Sequence, residues 1–154
     1  MSIDLMAKLA DLDLTLPDAP APAANYVPYV QSGAQLFISG QISNGPDGLI
    51  LGKLGADMTT AEGAAAAQTC ALALLAQANA AVGGDFSKVK RLVKLVGFVN
   101  STPEFTEQPK VVNGASDLMV AVLGEAGRHA RSAVSAASLP LGVAVEIEAI
   151  FELN

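Results

Sequence analysis

The segment TTAEGAAAAQTCALALLAQANAAVGG, residues 59–84, constrains this chain more than any other. Thr59 and Glu62 stand three apart, the spacing of a capping box, in which hydroxyl and carboxylate satisfy the free N–H groups of a helix start. Gly83-Gly84 closes the segment, because glycine readily takes the left-handed conformation that ends helices. Roughly six turns of alanine-rich helix are predicted between these signals. Its length suggests a membrane span, but Gln68, Thr69, Gln77 and Asn79 interrupt it, and no run of the ~20 apolar residues such a span needs is present. The helix must therefore bury itself in protein, and a sheet is the natural partner.

The rest of the chain supplies that sheet. YVPYVQSGAQLFISGQIS alternates about a turn at Ser32-Gly33-Ala34, which predicts a β-hairpin with Leu36, Ile38, Gly40 and Ile42 on one face. NGPDGLILGKLGADM reads as a glycine-rich loop with one short strand. VKRLVKLVGFVNS is a strand rich in β-branched residues, and TPEFTEQPKVVNGASDLMVAVLGEAG is a second helical segment. In that helix Val112, Ala115, Leu118, Met119 and Val122 share one face. HARSAVSAASLPLGVAVEIEAIF reads as a closing hairpin. Ahead of all this, Ser2 to Leu12 places Ile3, Leu5, Met6, Leu9 and Leu12 at helical intervals, and the prolines of LPDAPAPAANYVP then enforce extended chain. The order is ββ, α, β, α, ββ after a small helix, the pattern of an α+β fold with two helices on one face of a mostly antiparallel sheet. One domain over residues 1–154 is expected, with residues 1–25 as its N-terminal helix and Pro/Ala-rich connector.

Charge and residue counts exclude several functions. Nine Lys+Arg against fifteen Asp+Glu leave a net charge of −6, which disfavours binding to nucleic acid phosphates. The basic run Lys88, Lys90, Arg91 and Lys94 reads as the solvated face of a strand. Cys70 is the only cysteine and His129 the only histidine, so no disulfide, Cys-pair metal site or histidine-rich metal centre is expected, and no metal is predicted. Cys70 sits in apolar helix with no basic neighbour, the setting of an inert buried thiol. The loop glycines match no phosphate or dinucleotide fingerprint. His129 reads as a surface or helix-end residue. The acidic amphipathic start is unlike a secretion signal, so a cytoplasmic protein is expected. Hydrophobic residues reach 51% and charged ones only 16%, which predicts that part of the surface is covered by copies of the same chain.

Three charges in the closing segment remain. Glu146 and Glu148 share one side of the last strand, and a turn centred on Pro140-Leu141 would set Ala133 opposite Glu148, Ser135 opposite Glu146 and Arg131 diagonal to Glu148. A cross-strand salt bridge is one reading. The other is a receptor for a carboxylate, since a guanidinium fork among small residues grips both oxygens of an anion, with a glutamate nearby to hold a water. Pattern alone leaves both open.

The stretches YVPYVQSG, LFISGQI, VKLVGFVNS, VVNGASD and ARSAVSAASLPLGVAVEIEAIF resemble, in order and from about Tyr26 to Phe151, the YjgF/RidA family, long labelled endoribonuclease L-PSP. The resemblance implies a chorismate-mutase-like subunit in a homotrimer, with ligand clefts between subunits. It implies hydrolysis of reactive 2-enamine and 2-imine carboxylic acids to 2-oxo acids and ammonia, without metal or cofactor. The family's carboxylate-binding arginine falls on Arg131 and its water-placing glutamate on Glu146. The cleft tyrosine falls on Tyr29, the Ser-Gly pair on Ser39 and Gly40, and the helix asparagine on Asn113. Ala133 stands where many imine-hydrolysing members have cysteine, and keeps only its backbone to hold a ligand nitrogen. Two alternatives remain: a trimeric binder of small carboxylates such as 2-oxo acids, and the ribonuclease of the old label, which an acidic chain with one histidine supports least. The N-terminal helix, its connector and the loop STPEFTEQPK also set the chain apart from typical members, and are expected to reshape the cleft.

Overall fold

A computed structural model describes residues 3–22 and 24–154. Ser2, the first residue of the predicted N-terminal helix, lies outside them, as do Met1 and Ala23 of the predicted connector. The helix α1 runs Leu5–Asp11, capped by the Asp4 side chain, which accepts from the Ala7 N–H at 3.0 Å. Its buried residues Leu5 and Leu9 belong to the main core, and the helix docks on α3, Gln108–Leu123. The long helix α2, Thr60–Ala81, starts where expected, with the Thr59 hydroxyl accepting from Glu62 N–H. It ends before Gly83, whose φ of +68° is the left-handed conformation anticipated there.

Five strands form one sheet: β1 Tyr29–Ser32, β2 Gln35–Ile42, β5 Val89–Asn100, β6 Ala130–Ala136 and β7 Val145–Leu153. The glycine-rich loop contributes a separate two-residue hairpin, β3 Asn44–Gly45 with β4 Gly48–Leu49. The order across the sheet is β1-β2-β7-β5-β6, antiparallel at every join except β5 with β6. Helix α3 links that parallel pair, because parallel neighbours need a crossover between them. Helices α2 and α3 lie against the face formed by Leu36, Ile38, Leu92, Leu95, Val99, Val145, Ile147 and Phe151, all buried. Burying a large side chain there contributes roughly 1.5–3 kcal/mol. The two helices approach so closely at Gly114 that a Cβ would strike the Ala64 backbone. All five residues predicted for the inner face of α3 are buried. Among the described residues no helix is long and apolar enough to cross a membrane.

Three expectations fail. The glycine-rich loop holds two short strands, β3 and β4, where one was expected. The closing segment is not a hairpin: β6 and β7 lie on either side of β5, so Ala133 pairs with Gly97 rather than facing Glu148, and Ser135 pairs with Val99 rather than facing Glu146. Residues 137–144 carry the chain across the end of β5 instead of turning it back. On β2 the expected common face ends at Ile38, because a bulge between Ile38 and Gln41 resets the register with β7. Beyond it Gln41 is buried and Ile42 half-buried. Such bulges re-aim side chains next to functional sites.

Candidate active site

Side chains of directly paired residues share a sheet face, and this places the predicted residues in two groups. Arg131 pairs with Leu95, which also pairs with buried Ala149 on β7, so Arg131 projects on the helix-covered face. Glu146 pairs with Phe98, lies between buried Val145 and Ile147, and projects on the opposite face. Strand β5 stands between them. The two groups therefore cannot meet within one chain, and the Arg131–Glu148 salt bridge is overturned for the same reason. Among the described residues the ion pairs are Lys90–Glu152, Lys110–Glu107 and Arg128–Glu125, none of which involves Arg131.

Arg131 is held instead by α3. Its Nη1 donates to Asn113 Oδ1 at 2.8 Å and to Ser116 Oγ at 3.1 Å, and its Nη2 to the Pro109 carbonyl at 3.3 Å. All three acceptors are neutral, so the guanidinium is oriented but its charge is not cancelled. Of its five N–H hydrogens, these contacts occupy three and leave Nε–H and one on Nη2. Ala133, two residues along the same face, packs half-buried beside Gly97. Asn113 is thus where the sequence placed it. Ser116 and the Pro109 carbonyl were missed, although Ser116 lies one helical turn from Asn113 on the same side of α3, a spacing that signals a shared neighbour.

The second group lies where β1 ends. Pairing of β1 with β2 reaches only to Ile38, so the second half of β2 is a free sheet edge, and the connector runs along it. Ser39 N–H donates to the Pro28 carbonyl at 2.9 Å and Ser39 Oγ to the Val27 carbonyl at 2.9 Å. Further back, Gln77 Nε2 on α2 donates to the Pro20 carbonyl at 2.6 Å. Connector, β2 edge, α2 and the Pro140-Leu141 turn enclose a cleft of about 1070 Å³ that contains Ser39, Gly40, Glu146 and Glu148. Proline is the commonest residue in its walls, and its charged side chains are Asp18, Glu146 and Glu148, all acidic. The tyrosine lining it is Tyr26, whereas Tyr29 pairs with Ile38 and packs on the core's edge. The connector's part in the cleft left no periodic trace in the sequence.

Glu146 is half-buried, and among the described residues it receives no hydrogen bond. Loss of water around it, reinforced by the charge of Glu148, raises its pKa above the ordinary carboxylate range. That suits a base, which works best with a pKa nearer the operating pH. Gly40 lies directly over it, and a Cβ there would strike the carboxylate. Behind it Cys70 is fully buried, and burial first, then the Glu146 charge, raise its thiol pKa strongly. Its burial is as expected.

A mixed α+β fold with helices on one face of a mostly antiparallel sheet, an oriented arginine on one face and a desolvated glutamate on the other define the class. The chain matches the YjgF/chorismate mutase-like endoribonuclease family over residues 6–153 and belongs to it. It is 56% identical over 150 residues to Protein TCP17 of Trypanosoma cruzi, a match covering 96% of this chain and 93% of that one. The structure of Atu1372 from Agrobacterium tumefaciens, described as of unknown function, is 48% identical with a TM-score of 0.91, covering 97% of this chain and 92% of that one. TdcF of E. coli, solved with bound serine, is 26% identical with a TM-score of 0.60, covering 88% of this chain and 94% of that one.

Proposed function

We propose that this protein hydrolyses 2-imino and 2-enamino carboxylic acids, formed by other enzymes, to 2-oxo acids and ammonia. The observation that carries this reading is Arg131: three neutral acceptors orient it and leave its charge and two N–H donors for an anion. Glu146 supplies the complementary group, a desolvated carboxylate able to hold water and take its proton. Because the two lie on opposite faces, the reading needs clefts between copies in a homotrimer. One copy brings Arg131, Asn113 and the backbone of Ala133; the next brings Glu146, Ser39 and Gly40, with Tyr26 in the place expected for Tyr29. Water adds to the imine carbon, the C–N bond breaks, and nitrogen leaves as ammonia while the 2-oxo acid forms; no cofactor enters this scheme. Fixing carboxylate and water together provides orientation as well as affinity. The serine bound by TdcF, a small molecule with a carboxylate and an adjacent nitrogen, supports the substrate class. The test is release of 2-oxobutanoate when a dehydratase generates 2-iminobutanoate in situ. Faster release than in buffer is expected, and no acceleration would sink the enzymatic reading.

A second reading, a non-catalytic receptor for 2-oxo acids at the same cleft, draws on Ala133, which lacks the thiol of many imine-hydrolysing members. Calorimetry with 2-oxobutanoate separates the two: binding that is lost in Arg131→Ala, without hydrolysis by the parent, selects the receptor. The ribonuclease activity in the family's label has least support, from an acidic chain whose single histidine is engaged in internal hydrogen bonds.

A further inference from the structure

The one histidine of the chain, read from the sequence as a surface or helix-end residue, follows the short helix that ends at Gly127 and stands behind the arginine. We infer that His129 is a positioning residue for Arg131, acting through Ser116; this rests on the carboxylate-binding role proposed for Arg131.

For a neutral imidazole the hydrogen bonds allow one assignment of protons. His129 Nδ1 lies 2.6 Å from the Gly127 carbonyl, which only accepts, so Nδ1 carries hydrogen. In the neutral ring Nε2 is then a lone pair. Ser116 Oγ lies 2.9 Å from it, so the hydroxyl donates to Nε2. A serine hydroxyl has one hydrogen and two lone pairs. With its hydrogen committed to His129, the oxygen turns its lone pairs to Arg131 Nη1 at 3.1 Å. The relay therefore runs from the Gly127 carbonyl through imidazole and hydroxyl to the guanidinium, every donor meeting an acceptor.

Without the imidazole the Ser116 hydroxyl is free to rotate, and serine in a helix readily turns to the carbonyl one turn back. Nη1 would then keep Asn113 as its one firmly aimed acceptor, and only the longer 3.3 Å bond from Nη2 to the Pro109 carbonyl would oppose a swing of the guanidinium plane. The two free N–H groups that must meet a carboxylate together would lose their fixed direction. His129 thus acts on binding geometry and not on the chemical step at Glu146.

Two measurements test this. The first reads the relay itself: the imidazole of ¹⁵N-labelled protein at neutral pH, assigned without ambiguity because there is a single histidine, should show the uncommon Nδ1–H tautomer. An Nε2–H tautomer or a charged ring would overturn the inference, whether or not the protein is an enzyme. The second reads its purpose: His129→Ala should raise KM for 2-iminobutanoate, or Kd for 2-oxobutanoate, about five- to tenfold, with the effect on KM rather than kcat. His129→Gln, whose amide oxygen can accept from Ser116, should recover most of it, with thermal unfolding confirming that both variants fold. An unchanged KM and Kd, or a loss that glutamine does not rescue, rejects the positioning role. If the parent neither binds nor turns over these acids, the proposed function fails, and the tautomer still decides the relay.

Discussion

Arg131 and Glu146 occupy opposite faces of one sheet, and their surroundings differ as much as their positions. Hydrogen bonds orient the guanidinium, with three acceptors from a single helix and a fourth residue behind one of them. The carboxylate is set apart from partners: it sits under Gly40 in a proline-rich cleft, and among the described residues no donor stabilises its charge. The first arrangement suits a group whose task is to hold an anion in one pose. The second suits a group that must accept a proton. A site divided in this way gets direction from one half and reactivity from the other.

The comparison breaks most easily at its cationic end. Arg131→Ala should lower kcat/KM about a thousandfold, since losing one member of a desolvated charge pair costs about 2–5 kcal/mol. Steady-state kinetics check this, and a residual rate near the parent's would show that the fixed charge is not the anchor. Glu146→Gln should lower kcat about a hundredfold, a typical contribution of a general base, while calorimetry finds the carboxylate still bound. If binding falls with kcat, the division of labour between the faces is wrong.

The same substitution has a consequence for stability. Because the folded chain holds the Glu146 proton more tightly than the unfolded chain, this group's contribution is full below the ordinary glutamate pKa of about 4.3 and is lost as pH rises through the raised value. E146Q removes that loss. It should melt higher than the parent at pH 7 to 8 and no higher at pH 4, in paired thermal scans. A smaller effect is expected from Gly40→Ala, whose methyl group displaces the carboxylate it covers: kcat should fall roughly tenfold with the fold intact. Smallest of all, Ser39→Ala removes the bond to the Val27 carbonyl, and should cost about 0.5–1 kcal/mol in denaturant unfolding while loosening the connector.

The two helices and the strand order along the chain were legible, because each carries periodic apolar residues or a cap that acts locally. The pairing partner of β6 was not. The link between Ala136 and Val145 is compatible with a return alongside β6 or a passage across β5, and local pattern does not choose. What chooses is α3, whose packing on the sheet places β6 parallel to β5 on its outer side. Arg131 stood out in the sequence as a charge in unusual company, but its neighbours Ser116 and His129 come from a helix face and a turn that only tertiary structure brings together. That the connector would reshape the cleft was expected from the resemblance, but which of its residues line it, Tyr26 among them, was hidden because extended proline-rich chain has no amphipathic period to betray what it covers.

The placement of arginine and glutamate on opposite faces of the sheet extends to inheritance. In the proposed homotrimer, a cleft that takes one group from each of two copies would separate two roles that different alleles can carry. Co-expressed R131A and E146Q chains, each inactive alone, would form mixed rings in which an intact arginine meets an intact glutamate, and activity would return. A gene with two damaged versions in one cell would then be better off than a gene with one damaged version in two doses.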